Sequence, residues 1–201
     1  AIDLYGRLHA PYTLAGWRID PTSGNWKNHV DAHVLPDLAE HVVDRKAILP
    51  GSGFLEIAIS AGRQFLTTDS VEISNLEILQ PLELGTANLR EISTTVSADT
   101  GDIEIRSRDR LSSDDWTIHA VARCRKLSGA APAAMPTRLK RAGAKTIPAS
   151  VAYETAQNFG LDYGPAFRLL RTATQTGPNS IEVELASPAS VGNPYLTYAL
   201  H

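Results

Sequence analysis

Cysteine is almost absent: Cys124 is the single one in 201 residues. One thiol cannot close an internal disulfide and cannot build a metal site by itself, so a disulfide scaffold and a cysteine-rich metal cluster are excluded. A reducing, cytoplasmic setting is the default that follows. No run of about 18 apolar residues occurs, so nothing reads as a membrane-spanning helix. A basic excess is missing too, since 19 Lys and Arg face 22 Asp and Glu for a net charge of -3. That argues against nucleic acid, which needs a concentrated basic face. It leaves room for an acidic partner on a local basic patch. The start has no signal-peptide pattern, and its first residue is Ala1 rather than Met, as expected of a piece of a longer polypeptide. What remains is ordinary for a globular protein, 43% hydrophobic and 20% charged.

The pattern along the chain changes several times. Residues 1–36 are rich in turn formers, and PTSGNWKNHV is expected to be a loop and strand edge. SGFLEIAISAGRQFL follows a Pro50-Gly51 step, and its Phe54, Leu55, Ala58, Ile59 and Gly62 recur at helical spacing. Ser52 can cap its start, which predicts a helix over 52–66 with a broad apolar face. VEISNLEILQPLEL, LREISTTVSAD, DIEIRSRD and DWTIHAVARCRKL then predict strands. DIEIRSR alternates, with Ile103, Ile105 and Ser107 on one face. Pro81 marks a bulge or an edge. One helix followed by antiparallel strands predicts an α+β layer with a curved sheet round the helix.

Residues 128–148 are rich in Ala, Pro and Gly and carry Arg138, Lys140, Arg141 and Lys145 with no acid, which predicts a linker. The basic residues are expected to be solvated, with contact to an acidic carrier protein as the alternative. A second unit begins after the linker. Val151, Tyr153, Ala156 and Phe159 fit a short helix ending at Gly160, and SIEVELA fits a strand. No segment after Gly164 supplies a second central helix. The expected organisation is therefore a first unit over 1–127, a linker over 128–148 and an incomplete second unit over 149–201.

His41 is the candidate catalytic residue. A histidine taken alone is more often structural or simply exposed. This one lies nine residues before Pro50 and the single strong apolar helix. A side chain beside a helix N-terminus sees oriented N–H groups and the positive dipole end. Such a place can hold an acyl carbonyl while a neutral imidazole removes a proton. His9, His29 and His33 lie in loop-like sequence, His119 in a strand pattern, and His201 at the end. Glu40 and Asp44 beside His41 are expected to be solvated loop charges.

The stretch HVVDRKAILPGSGFLEIA resembles the first signature of polyketide synthase dehydratase domains, a His followed by Gly at the fourth position and Pro at the ninth. His41 and Pro50 match, and Gly51 follows, but the Gly position is Arg45. LAGWRI and LPDLAEH resemble the family's entry segment, WTIHAVARC the strand closing its first half, and LDYGPAF its second signature. YGPAF by itself would be a turn and a core aromatic. The matches keep their order across essentially the whole chain.

The resemblance implies a double hotdog, two helices each wrapped by an antiparallel sheet. It implies His41 as base, Pro50, Gly51, Tyr163, Gly164 and Pro165 along the acyl site, and an aspartate from the second unit. In the family that aspartate follows a His-Pro pair. Either His201 is that His and the acid comes later, which is preferred, or Thr197 stands in the aspartate position. The implied reaction is loss of water from a β-hydroxyacyl thioester carried on the phosphopantetheine arm of an acyl carrier protein. No metal or other cofactor is implied. The implied partners are the carrier protein, neighbouring synthase domains and, through the parent synthase, a second copy, with no nucleic acid and no membrane. The alternatives are a double-bond isomerase, an inactive dehydratase-like structural domain, and a hotdog thioesterase, which two joined halves disfavour.

Overall fold

The computed structural model describes residues 13–32, 35–85, 89–129 and 145–186. The expected helix forms as Gly51–Leu66, capped by Pro50 and stopped where Thr67 turns left-handed at φ 51°. It buries Phe54, Ile57, Ala58 and Ala61. These face an antiparallel sheet built from β1 (Trp17–Arg18), β2 (Asn25–Val30), β5 (Val71–Ile78), β6 (Arg90–Val96), β7 (Asp102–Asp109) and β8 (Thr117–Lys126). The six strands lie in the order β1-β2-β6-β7-β8-β5. Trp26, Ile92, Ile103, Ile105, Ala120, Ala122 and Cys124 supply the other side of the core. Each large apolar side chain buried here contributes roughly 1.5–3 kcal/mol. Gly62 lets the helix settle on the sheet, because a methyl there would stand 3.1 Å from Val71 and 3.2 Å from Cys124.

The alternation expected in β7 holds, with Ile103, Ile105 and Ser107 buried. The loop and strand expected in PTSGNWKNHV are there, but the strand β2 is not an edge: it lies between β1 and β6 and pairs with β6 along its whole length. Its inward residues are Trp26, Asn28 and Val30. The polar Asn28 hides the period-two pattern. It is buried because its amide Nδ2 donates to the Leu14 carbonyl at 2.8 Å while its Oδ1 accepts the His29 N–H at 2.8 Å.

Two small sheets lie beside this unit. In one, β3 (His41–Val43) pairs with β4 (Lys46–Ala47) on one side and β10 (Leu161–Tyr163) on the other. The second unit is thus tied to the first by a strand pair. In the other, β11 (Leu170–Gly177) lies between β12 (Ser180–Leu185) and β9 (Lys145–Pro148). The linker expectation is corrected at its C-terminal end: Lys145–Pro148 is a strand, registered against 172–175 of β11. Residues 130–144 of that stretch lie outside the described residues. The expected short helix is Ala149–Asn158 and buries none of its residues. Ile181, Val183 and Leu185 of β12 are each half or more exposed.

Candidate active site

The short helix Pro36–Ala39 delivers the chain to His41, the first residue of β3. β3 and β4 form a hairpin with Val43 opposite Lys46, so Asp44 and Arg45 are its two turn residues. Both have positive φ, 46° and 66°. That is the signature of a type I′ turn, whose twist matches the flanking strands and whose usual sequence ends in Gly. Arg45 occupies the Gly position of the first signature and takes a glycine-like conformation.

The hairpin places the His41 ring against Ile48. His41 Nδ1 lies 2.9 Å from the Ile48 carbonyl oxygen, and the Ile48 N–H donates to the His41 carbonyl at 3.0 Å. A carbonyl can only accept, so Nδ1 carries the proton and donates. In the neutral form of the ring this tautomer leaves Nε2 as the acceptor nitrogen. Ile48 is two residues before the helix cap Pro50, so the imidazole is tied to the segment that starts the central helix. Pro50 is buried and Gly51 exposed. A methyl on Gly51 would come no nearer than 3.5 Å to a neighbour, so packing does not demand glycine there.

The second unit closes over the ring. Tyr163 pairs with His41 across β10 and β3. Their ring centroids are 5.5 Å apart, and Phe167 stands 5.4 Å from His41 on a tilted approach. Tyr163 and Phe167 are stacked on one another, 6.3 Å apart. Phe167 also packs against the first unit's core. Gly164 and Pro165 begin the 3-10 turn Pro165–Phe167 that carries it. His41, Tyr163, Gly164 and Pro165 are therefore brought together from opposite ends of the chain.

Glu40 departs from its expected role as a solvated loop charge. Its Oε2 accepts the Ala166 N–H at 2.5 Å, and its backbone carbonyl accepts the Gly164 N–H at 2.8 Å. It is half-buried because the second signature lies on it. Asp37, one helical turn earlier, has its carboxyl raised above the usual carboxylate range by burial and then by repulsion from Glu40. Asp44 also reaches the second unit, its N–H donating to the Gly160 carbonyl at 2.8 Å. Sequence reasoning singles out neither Glu40 nor Phe167 as a site residue. Phe167 is legible as the last residue of YGPAF, while nothing local marks Glu40.

Thr197 and His201 lie outside the described residues. Among the described residues no group of three or more His, Cys, Asp or Glu could hold a metal ion, and no helix is long and apolar enough to cross a membrane.

A helix gripped by an antiparallel sheet, joined by a strand pair to a second sheet with a histidine at the joint, defines a hotdog-type α+β protein. Two family models match the chain, one described as polyketide synthase dehydratase domain over residues 17–110 and one as polyketide synthase dehydratase N-terminal domain over residues 131–201. The chain belongs to the polyketide synthase dehydratase family. It is 27% identical over 185 residues to a phenolphthiocerol/phthiocerol polyketide synthase of Mycobacterium tuberculosis, covering 87% of this chain and 8% of that protein. It is 31% identical over 175 residues to the spectinabilin polyketide synthase system protein NorA' of Streptomyces orinoci, covering 86% of this chain and 5% of that one. The chain thus spans under a tenth of these relatives, which are multidomain synthases. Among solved structures, a dehydratase of the borrelidin and fluvirucin polyketide synthases superposes with a TM-score of 0.71 at 27% identity, over 91% of this chain and 67% of the other. A variant of the PpsC dehydratase domain of Mycobacterium tuberculosis superposes with a TM-score of 0.66 at 26% identity, over 86% and 62%.

Proposed function

We propose that this chain carries the base half of a dehydratase site that eliminates water from a β-hydroxyacyl thioester. The observation that supports it best is the setting of His41: its Nδ1 lies 2.9 Å from the Ile48 carbonyl oxygen, an arrangement that leaves Nε2 for the substrate, and two aromatic rings stand over the imidazole. The α-proton of a thioester is weakly acidic in water. A site that removes it must stabilise the charge growing on the thioester oxygen, and N–H groups at the start of the central helix near Pro50 and Gly51 are suited to that. His41 Nε2 takes the α-proton, the electron pair forms the α,β double bond, and the β-hydroxyl leaves as water with a proton from an acid. The family resemblance assigns that acid to an aspartate of the second unit. A carboxylic acid in an apolar tunnel has a raised pKa, which suits it to donate. Tyr163, Gly164 and Pro165 line the acyl path in this reading.

The acyl group would arrive on the phosphopantetheine arm of an acyl carrier protein, and the domain itself would need no metal or organic cofactor. Neighbouring synthase domains and a second copy of the synthase are the other proposed partners, in the reducing cytoplasm that a lone buried thiol suits. The test is to supply the full-length protein with a β-hydroxyacyl carrier-protein thioester and follow the product by mass. Loss of one water, giving the α,β-unsaturated thioester, supports the proposal. Release of free thiol, or turnover only of an enoyl thioester by double-bond migration, would replace it with a thioesterase or an isomerase.

A further inference from the structure

We infer that Glu40 is a positioning residue, a clamp that holds the second signature over the His41 ring; this rests on His41 being the base proposed above. Pro165 has no N–H, so Ala166 offers the first free backbone donor of the 165–167 turn. The Glu40 carboxylate meets that donor at 2.5 Å, across 126 residues of sequence. The Gly164 N–H bonds to the Glu40 carbonyl at 2.8 Å, so one residue holds the turn by backbone and side chain together. Gly164 lies flat on the Glu40 stem: a methyl there would stand 2.6 Å from Glu40 Cβ and 2.8 Å from Cγ and Cδ. The contact is close only because position 164 has no side chain.

The clamp acts on what the turn carries. Tyr163 precedes it and Phe167 ends it, and their rings stand 5.5 Å and 5.4 Å from the His41 ring. Arg168 Nε completes the turn by donating to the Tyr163 carbonyl at 2.6 Å. Glu40 is adjacent to His41 in sequence, so one short segment sets both the base and its cover. A hydrogen bond to a charged acceptor is about twice as strong as a neutral one, which suits a single contact that must fix a turn.

The experiment compares Glu40→Ala with Glu40→Gln in the full-length protein. Glutamine keeps an oxygen for the Ala166 N–H, whereas alanine does not. The first readout is the rate at which diethyl pyrocarbonate acylates each histidine, followed peptide by peptide by mass spectrometry. In Glu40→Ala, His41 should react several-fold faster as Tyr163 and Phe167 move away, while buried His119 stays protected as an internal control. In Glu40→Gln the His41 rate should stay near wild type. The second readout is kcat/KM for dehydration, which should fall by about tenfold or more in Glu40→Ala and recover largely in Glu40→Gln, since misplacement of about 1 Å can cost on the order of a hundredfold. Gly164→Ala should also speed acylation of His41, because its methyl would stand 2.6 Å from Glu40 Cβ and push the turn off the clamp. A wild-type His41 rate in Glu40→Ala would overturn the clamp. So would equal defects in the alanine and glutamine variants, which would point to the charge itself. Faster acylation of His41 and His119 together would overturn it too, by showing that Glu40 holds the fold rather than the site. The acylation readout needs no turnover, so it decides on the clamp even if the dehydration proposal fails.

Discussion

Arg45→Gly should stabilise the chain. Arg45 sits in the β3–β4 turn at φ 66°, and the preceding Asp44 is at 46°. A left-handed conformation costs an L-residue roughly 1–2 kcal/mol, a cost glycine does not carry. Against this, glycine gives the unfolded chain more freedom, worth about 0.4–1 kcal/mol. The Arg45 side chain is exposed, and surface substitutions away from special features usually stay within about 0.5 kcal/mol. The expected net gain is therefore about 0.5–1 kcal/mol. For a chain of 201 residues that is a rise in Tm of about 1–4 °C, at about 2–4 °C per kcal/mol. The assay is thermal or urea unfolding of wild type and variant side by side, with equal urea slopes confirming that only stability moved. A loss of more than about 1 kcal/mol would refute the strain argument and show that the guanidinium makes stabilising contacts of its own. The same change leaves the Nδ1 contact of His41 in place, so turnover should be unaltered.

Two further predictions concern the core. Ile57→Ala empties a fully buried site between the central helix and the sheet, and should cost about 2–5 kcal/mol in urea unfolding; a cost below about 1 would mean that the helix is not gripped as described. His119 is held by Ser107 Oγ at 2.8 Å and by the Gln80 carbonyl at 3.2 Å, and its pKa is pushed below the ordinary 6.5 chiefly by burial. The unfolded chain therefore takes up this proton first, and stability should be full above about pH 6.5 and fall as the pH drops from there towards the lowered folded value. Urea midpoints at pH 7.5 and 5.5 should show a larger acid loss in wild type than in His119→Asn, and equal losses would contradict the assignment.

What can be read from sequence is what repeats locally. The 52–66 helix declares itself by apolar spacing, and β7 by alternation, because each buries one continuous face. β2 does not, because its middle inward residue is an asparagine whose partner, Leu14, is a loop carbonyl. The β3–β4 hairpin escapes notice because its strongest local signal, a glycine at the second turn position, is replaced by Arg45. His41, Tyr163, Gly164 and Pro165 are legible through the family resemblance, and the structure brings them together at one joint. The Glu40 contact is illegible in principle, since its two ends lie 126 residues apart and neither belongs to a periodic pattern.

The most direct test is the turnover of His41→Ala. An imidazole engaged in proton transfer rather than core packing can be removed without unfolding the protein. With a β-hydroxyacyl carrier-protein thioester as substrate, the variant in its full-length protein should keep the wild-type Tm within a few degrees and lose about 10²–10⁴-fold in dehydration, the usual contribution of a general base. Near-normal turnover by the well-folded variant would contradict the central claim that His41 is the base.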